Sequence, residues 1–227
     1  MSGKSKALFH AAFFSMFVIV AVKDYQVLNG QYLPIPYNFF SRFVWLTLID
    51  LYAQIFYHFY GFIKALSSPN QNARTFDYMA RVIVGPIGVA VTVLFWTLWI
   101  FDPATLAKDE MAKKIHSIQW FNHGLHTLPL ISSHLDVYLW KHQTFPQPTV
   151  MKGIMAFCVL YVIDIHAVYY ISGFWAYPIL GQLAPPFRIF FIVSCIFIVF
   201  ICHIWLSSFD LAVDTVAGRR TIKAKRR

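Results

Sequence analysis

The sequence predicts an all-α, multi-pass membrane protein, and three observations lead to that fold class. Apolar residues make up 58% of the 227 residues and charged residues 13%, against roughly 45–50% and about 25% in a soluble domain. The mean hydropathy is +0.56. Apolar runs recur along the whole chain, each near the length of about 20 residues that a helix needs to cross a bilayer. We therefore expect a single transmembrane domain over residues 1–227, built as a six-helix bundle.

Six apolar segments are the candidate spanning helices: 8–22, 39–63, 79–101, 116–140, 151–172 and 187–211. The first follows Lys4 and Lys6, a pattern that a cleaved signal peptide also has. Because no small-x-small cleavage site precedes a polar start, we interpret this segment as a retained helix. The third segment ends at Asp102-Pro103, which stops a helix.

The distribution of Lys and Arg predicts the orientation, because short cytoplasmic loops are rich in these residues. They concentrate at the N-terminus, in the loops after the second and fourth segments, and in the basic tail 218–227, whereas the loop 173–186 carries no charge. The loop after the third segment carries both signs and weakens the pattern. We expect both termini and the basic tail to be cytoplasmic.

The basic tail also bears on location and partners. Lys225 and Lys223 are the third and fifth residues from the end, which matches a dilysine-type retrieval signal for the endoplasmic reticulum. A plain positive-inside tail explains them equally well, so the endoplasmic reticulum and the plasma membrane both stay open. We assign the net charge of +9 to topology and the membrane surface, and not to nucleic-acid binding. The sequence does not indicate an oligomeric state.

One polar stretch, residues 120–129, interrupts the fourth segment. Polar side chains at bilayer depth are costly, and they usually face a protein interior and mark a functional site. His123 and His126 are three residues apart and share a helix face, and Asn122 lies four residues before His126 on nearly the same stripe. Gly124 leaves room there for a close neighbour or a ligand. The stretch indicates a functional site without naming its chemistry.

A second polar pair, Thr47 and Asp50, lies in the second segment, three residues apart on one face. At a rise of 1.5 Å per residue, Thr47 lies roughly 12 Å and His126 roughly 15 Å from the same end of the bundle. This match of depth is a necessary condition for a joint site. An ionised Asp50 would also need a partner at that depth, and a histidine is the obvious candidate.

Other interpretations of these residues stay open at this point. A membrane threonine often bonds its own helix, and a buried histidine often joins two helices. Intramembrane Asp and His residues are also typical of a proton or ion transporter. A haem protein with two histidine ligands is a third alternative. We expect no metal site, since the chain has one His-x-x-His and Cys158, Cys195 and Cys202 lie in apolar runs.

Three segments carry a resemblance to a known family: Trp-Leu-Thr-Leu-Ile-Asp-Leu at 45–51, Asn-His-Gly-Leu-His-Thr at 122–127 and Gly-Phe-Trp-Ala-Tyr-Pro at 173–178. In order and spacing they resemble the androgen-induced gene 1 and androgen-dependent TFPI-regulating protein family. The resemblance implies a multi-pass membrane hydrolase that cleaves fatty acid esters of hydroxy fatty acids without a cofactor. It also implies a threonine nucleophile at Thr47 and a catalytic histidine at His126. Asp164 and His166 depart from the family pattern and receive no role.

The implied chemistry agrees with the polar pattern. His126 would take the proton of Thr47, which would carry the acyl group until water releases it. Asp50 is expected to orient the histidine, as the third group of a triad does. A nucleophile within a continuous helix has its nearby amides already bonded, so Asn122 and His123 are the predicted oxyanion donors. An apolar tunnel would hold the two acyl chains of the lipid substrate.

Overall fold

The computed structural model describes residues 3–28, 33–67, 73–108 and 110–225, and these ranges contain helices and no strand. The α-helices are α1 (Gly3–Leu28), α2 (Leu46–Ser67), α3 (Arg74–Tyr78), α4 (Gly85–Phe101), α5 (Glu110–Ser117), α6 (Gln119–His126), α7 (Leu128–Leu139), α8 (Gln147–Ser172), α9 (Pro178–Gln182) and α10 (Pro185–Lys225). A π-helix (Met79–Val84) joins α3 to α4, and 3-10 helices cover Phe39–Val44 and Pro103–Thr105. The all-α class is confirmed.

Four helical stretches of the described chain are long and apolar enough to cross a membrane: Gly3–Val27, Arg74–Phe101, Gln147–Ser172 and Pro185–Leu211. These stretches contain the first, third, fifth and sixth predicted segments. They support an integral membrane protein, but the predicted count of six spanning helices is not confirmed. The side chains of the basic tail 218–227 lie outside the described residues.

The fourth predicted segment is two short helices instead of one span. Helix α6 has 8 residues and α7 has 12, and Thr127 separates them with φ −123° and ψ −39°. Pro129 follows at the start of α7, where a missing backbone N–H is tolerated because the first turn has no acceptor for it. The break places His126 at the last position of α6.

The second predicted segment also differs at its start. Residues Phe39–Val44 form a 3-10 helix that is capped by the Asn38 side chain, and Trp45 is extended at φ −86° and ψ 118°. Helix α2 therefore begins at Leu46, and the continuous helix predicted over 39–63 is wrong there. Thr47 lies in the first turn of α2, where backbone N–H groups have no acceptor within the helix.

Helices α1 and α2 pack antiparallel, because His10 meets His58 near one end while Asp24 meets Arg42 near the other. Apolar side chains of α1, α2 and α6 form the core beside the site: Phe13, Phe17, Val20, Leu48, Leu51, Phe121 and Leu125. A Cβ at Gly124 would lie 2.5 Å from Val20, so the glycine permits the close contact of α6 with α1. This packing fixes the start of α2 against the end of α6.

Candidate functional site

The structure brings together Thr47 and His126, two residues that are 79 positions apart. The hydroxyl Oγ1 of Thr47 lies 3.4 Å from Nε2 of His126. His126 is 3% exposed, so its ring is enclosed by protein. This separation is longer than a good hydrogen bond and is within the range found when a nucleophile and its base await a substrate.

Asn122 determines which nitrogen of His126 carries the proton. The ring nitrogen Nδ1 lies 3.0 Å from the backbone oxygen of Asn122 and 2.9 Å from its side-chain Oδ1. Both partners are acceptors, so Nδ1 is the protonated nitrogen of the neutral ring and Nε2 keeps its lone pair. The Phe95 ring stacks on the imidazole with the ring centres 3.5 Å apart, which fixes the ring plane. His126 therefore presents an acceptor to the Thr47 hydroxyl.

Asn122 is buried, and its Oδ1 also lies 3.2 Å from Nδ1 of His116. Its side-chain oxygen thus serves two imidazoles. The sequence predicted an oxyanion donor at this position, but the geometry gives Asn122 the orienting position next to His126.

His123 lies apart from the pair. Its Nδ1 is 2.9 Å from Oγ1 of Thr127, and its ring packs against Trp96 with the ring centres 5.1 Å apart. The Trp96 indole also donates to Thr127 at 3.0 Å. His123 and Thr127 therefore form a helix-end contact, and the predicted oxyanion role of His123 has no support in this geometry.

Asp50 is 1% exposed and lies one turn beyond Thr47 on α2. Its Oδ1 accepts a hydrogen bond of 3.3 Å from Gln54 Nε2, and its Oδ2 has no hydrogen-bond partner among the described residues. The prediction that Asp50 orients His126 is therefore wrong in this structure, because Asn122 occupies the nitrogen that a third triad group would bind.

The first backbone amides of α2 have hydrogen-bond partners outside that helix. The N–H of Leu46 donates to the hydroxyls of Tyr161 and Tyr177 at 3.2 and 3.1 Å. The N–H groups of Leu48 and Ile49 donate to the Trp45 carbonyl at 2.9 and 3.2 Å. The predicted helix over 39–63 would have bonded the Leu46 amide within itself, whereas this amide bonds two side chains from another part of the chain.

Two cavities meet at Thr47, and Phe95, Leu106 and Tyr177 line both of them as well. The first, the apolar cavity, has a volume of about 110 Å³ and runs between α4, α8 and α10. The second, the mixed cavity, has a volume of about 380 Å³ and is also lined by His126, His116, Lys108 and Asp24. The Thr47 hydroxyl therefore lies where an apolar chain and a chain with a polar end could meet.

The buried ion pair of Arg42 and Asp24 joins the 3-10 helix to α1 beside the mixed cavity. Both side chains are almost completely buried. The sequence did not indicate this pair, because 18 positions separate the two residues and they lie near the ends of different predicted segments. On α8, His166 bonds its own helix at Val162 O, 2.8 Å away.

A second group of buried polar residues, here called the His58 network, occupies the other half of the bundle. Its members are His10, Gln54, Tyr57, His58, Asp77, Ser132, Asp136 and His142. The His58 Nε2 is 2.9 Å from Ser132 Oγ, and the His58 Nδ1 is 2.9 Å from His10 Nδ1. None of these residues lines either of the two cavities described above. The sequence did not indicate the contact of His58 with His10, which are 48 positions apart.

These features define an all-helical integral membrane protein with a threonine–histidine pair at the junction of two cavities. The chain belongs to the FAR-17a/AIG1-like protein family, whose match covers residues 5–210. The family resemblance of the sequence is thereby confirmed.

Two human proteins are among its relatives. The chain is 30% identical over 118 residues to androgen-induced gene 1 protein, which covers 52% of this chain and 49% of that protein. It is 21% identical over 166 residues to androgen-dependent TFPI-regulating protein, which covers 70% of this chain and 71% of that protein.

The androgen-dependent TFPI-regulating protein of Mesocricetus auratus is 26% identical over 122 residues, or 53% of this chain and 52% of that protein. The chain thus spans about half the length of the first relatives it matches. No solved structure matches the chain.

Proposed function

We propose that this protein is an integral membrane hydrolase that cleaves fatty acid esters of hydroxy fatty acids, with Thr47 as nucleophile and His126 as base. The observation that carries the proposal is the 3.4 Å approach of Thr47 Oγ1 to His126 Nε2 at the junction of two cavities. The unprotonated Nε2 faces the hydroxyl that must lose its proton. The family resemblance of the sequence is the source of the substrate class.

The reaction has two halves. In the first, Thr47 Oγ1 attacks the ester carbonyl carbon while its proton moves to His126 Nε2. The tetrahedral intermediate collapses, the C–O bond to the hydroxy fatty acid breaks, and the leaving oxygen takes that proton. In the second half, His126 accepts a proton from water, which attacks the acyl-Thr47 ester. The free fatty acid leaves and Thr47 regains its proton.

The two cavities suit the two parts of such a substrate. The apolar cavity, with aliphatic and aromatic walls, fits the acyl chain that Thr47 would carry. The mixed cavity fits the hydroxy fatty acid, and Lys108 on its wall offers a positive charge to the free carboxylate. The ester would then lie between the cavities, at Thr47.

Hydrolysis of a purified fatty acid ester by wild type, Thr47→Ala and Thr92→Ala tests this proposal. We expect Thr47→Ala to fall to the background rate, because no other atom replaces its Oγ1. Thr92 is the matched control: it is a buried helical threonine whose hydroxyl donates to its own helix at Gly88 O, 3.1 Å away. Wild-type activity in Thr47→Ala would refute the nucleophile assignment.

The two histidines of α6 allow a second comparison. We expect His126→Ala to lose about 10²–10⁴-fold in kcat, the usual contribution of a general base. His123→Ala should keep a measurable fraction, because His123 bonds Thr127 and lines neither cavity. Equal loss in the two variants at equal expression would remove the reason for choosing His126.

We also propose that both termini are cytoplasmic, in the endoplasmic reticulum or the plasma membrane, from the distribution of Lys and Arg. The site would then open toward the opposite face, since Thr47 lies near the start of α2. Glycosylation acceptor sites placed in the loop 173–186 should be modified, and acceptor sites at either terminus should not. Modification of an acceptor site at the C-terminus would show that the orientation is the reverse of the proposed one.

A further inference from the structure

The segment 173–178, noted in the sequence for its resemblance, has no role in the proposed function so far. It follows α8 and lies against the start of α2, where the Trp45 indole donates to the Ala176 carbonyl at 3.0 Å. The Trp45 and Phe174 rings also pack edge to face, with the ring centres 5.7 Å apart. These contacts fix the next residue, Tyr177, beside Thr47.

The hydroxyl of Tyr177 accepts a backbone hydrogen bond and keeps its own hydrogen for a further partner. Its oxygen accepts from Leu46 N–H at 3.1 Å and lies 3.4 Å from the hydroxyl of Tyr161. The single hydrogen of Tyr161 has a closer acceptor in the Val44 carbonyl, 3.0 Å away. The Tyr177 hydrogen is used in neither of these two bonds, so it can be donated to a group bound beside Thr47.

We propose that Tyr177 is a catalytic residue that donates a hydrogen bond to the oxyanion. This inference rests on the proposed function, because it needs an acyl transfer to Thr47. The phenol lines both cavities, as does Thr47, so it touches the junction where the ester carbonyl would lie.

The electronic step needs no proton transfer from Tyr177. As Oγ1 attacks, the carbonyl π electrons move to the oxygen, and the phenol donates a hydrogen bond to the new negative charge. When the intermediate collapses, the electron pair re-forms the carbonyl and the leaving oxygen departs with the proton from His126. Donors fixed in advance in an apolar surrounding stabilise such a charge strongly.

Tyr161 provides a matched control for this role. Both phenols bond the same Leu46 N–H, and both line the apolar cavity. Of the two phenols, only Tyr177 also lines the mixed cavity. Removing either hydroxyl therefore disturbs the start of α2 in a similar way, whereas only Tyr177→Phe removes an oxyanion donor.

The experiment compares kcat and KM of purified wild type, Thr47→Ala, Tyr177→Phe and Tyr161→Phe, with thermal unfolding as a check of the fold. We expect Tyr177→Phe to lose about 10²–10³-fold in kcat with little change in KM, as for other single oxyanion donors. Tyr161→Phe should keep kcat close to wild type. An alkyl boronic acid, which forms a tetrahedral adduct with the nucleophile, should bind Tyr177→Phe more weakly by a similar factor. A plain fatty acid should bind both variants alike.

The outcomes separate the two proposals. Hydrolysis by Thr47→Ala at the wild-type rate refutes the proposed function itself. An inactive Thr47→Ala with normal kcat in Tyr177→Phe overturns the role of Tyr177 alone, and so does an equal loss in Tyr161→Phe. If Tyr177→Phe does not fold, Tyr177→Gln, which keeps a donor, is compared with Tyr177→Leu. We expect more activity in the glutamine variant, and equal activity overturns the inference.

Discussion

Two hydroxyl–histidine pairs are buried in this bundle, and the one with the shorter distance is not the candidate site. Ser132 Oγ lies 2.9 Å from His58 Nε2, whereas Thr47 Oγ1 lies 3.4 Å from His126 Nε2. The Thr47 pair lines the mixed cavity, and the Ser132 pair lines neither of the two cavities. The comparison shows that distance alone does not identify a nucleophile, because the substrate must also reach it.

The direction of the hydrogen bonds separates the two pairs further. Ser132 donates its hydrogen to Gln54 Oε1 at 3.3 Å, so its oxygen accepts from His58 Nε2–H. His58 Nδ1 then accepts from His10 Nδ1–H. In this arrangement His58 Nε2 carries a hydrogen and donates it to Ser132. This nitrogen therefore has no lone pair with which to accept the Ser132 proton. His126 has the opposite arrangement, with the donor at Nδ1 and the acceptor at Nε2.

The His58 network is therefore best explained as a structural element that joins α1, α2 and α7. Its hydrogen bonds continue from Ser132 through Gln54 to Asp50, and every donor along this path points the same way. A side-chain amide does not ordinarily pass on a proton, so Gln54 interrupts the path that an intramembrane proton transporter would need. For this reason we favour the hydrolase over the transporter.

The largest effect that separates the two pairs should be covalent labelling. A fluorophosphonate is expected to form an adduct on Thr47, detected by mass spectrometry of the peptide around residue 47, and none on Ser132. Loss of the base in His126→Ala should slow labelling by about 10²–10⁴-fold. Ser132→Ala should label at the wild-type rate. An adduct on Ser132 would show that Ser132, and not Thr47, is the activated hydroxyl.

The free energy of unfolding should show the reverse order, with a larger effect at the Ser132–His58 pair than at the Thr47–His126 pair. His58→Ala removes the donor to Ser132 Oγ and the acceptor of the His10 Nδ1 hydrogen in a buried region, and each lost bond is expected to cost about 1–3 kcal/mol of the free energy of unfolding. Thermal unfolding in detergent should therefore show a clear loss for His58→Ala, while kcat per folded molecule stays near wild type. Normal stability together with a loss of activity in His58→Ala would show that His58 is a catalytic residue and not a structural one.

Helix rise predicts a similar depth for Thr47 and His126, which is a necessary condition for a joint site, and the family resemblance is what implied that the two residues act together. The sequence did not predict the start of α2 at Leu46. The residues Phe39, Phe40, Phe43 and Val44 continue the apolar pattern, and the backbone change at Trp45 leaves no mark in composition.

The partners of the two histidines show the same limit. Asn122 precedes His126 by one helical turn, so their proximity was predicted, but the nitrogen that Asn122 would meet depends on the rotation of the ring. His10 meets His58 across 48 positions, and nothing in the apolar run around His10 indicates that partner. Rotation and long-range pairing follow from packing, which a local pattern does not contain.

The smallest expected effect is a dependence of stability on pH at His142, which lies in the loop after α7. Burial alone would lower the pKa of His142, but the carboxylates of Asp136 and Asp77, each 2.9 Å from a ring nitrogen, hold the pKa above its ordinary value. The folded state thus binds the proton more tightly than the unfolded state does. Its contribution to stability is complete below the unfolded pKa near 6.5 and is lost as the pH rises through the folded pKa.

Thermal unfolding measured over a series of pH values above 6.5 should therefore show a loss of stability that His142→Gln does not show. Glutamine is the matched control because it stays neutral at every pH. Arg81 donates to the backbone oxygen of His142 at 3.2 Å, a bond that the substitution leaves in place. Hydrolysis at the Thr47–His126 pair should not change in His142→Gln, since His142 lines neither cavity. An equal pH slope in His142→Gln would assign the titration to another group of the His58 network.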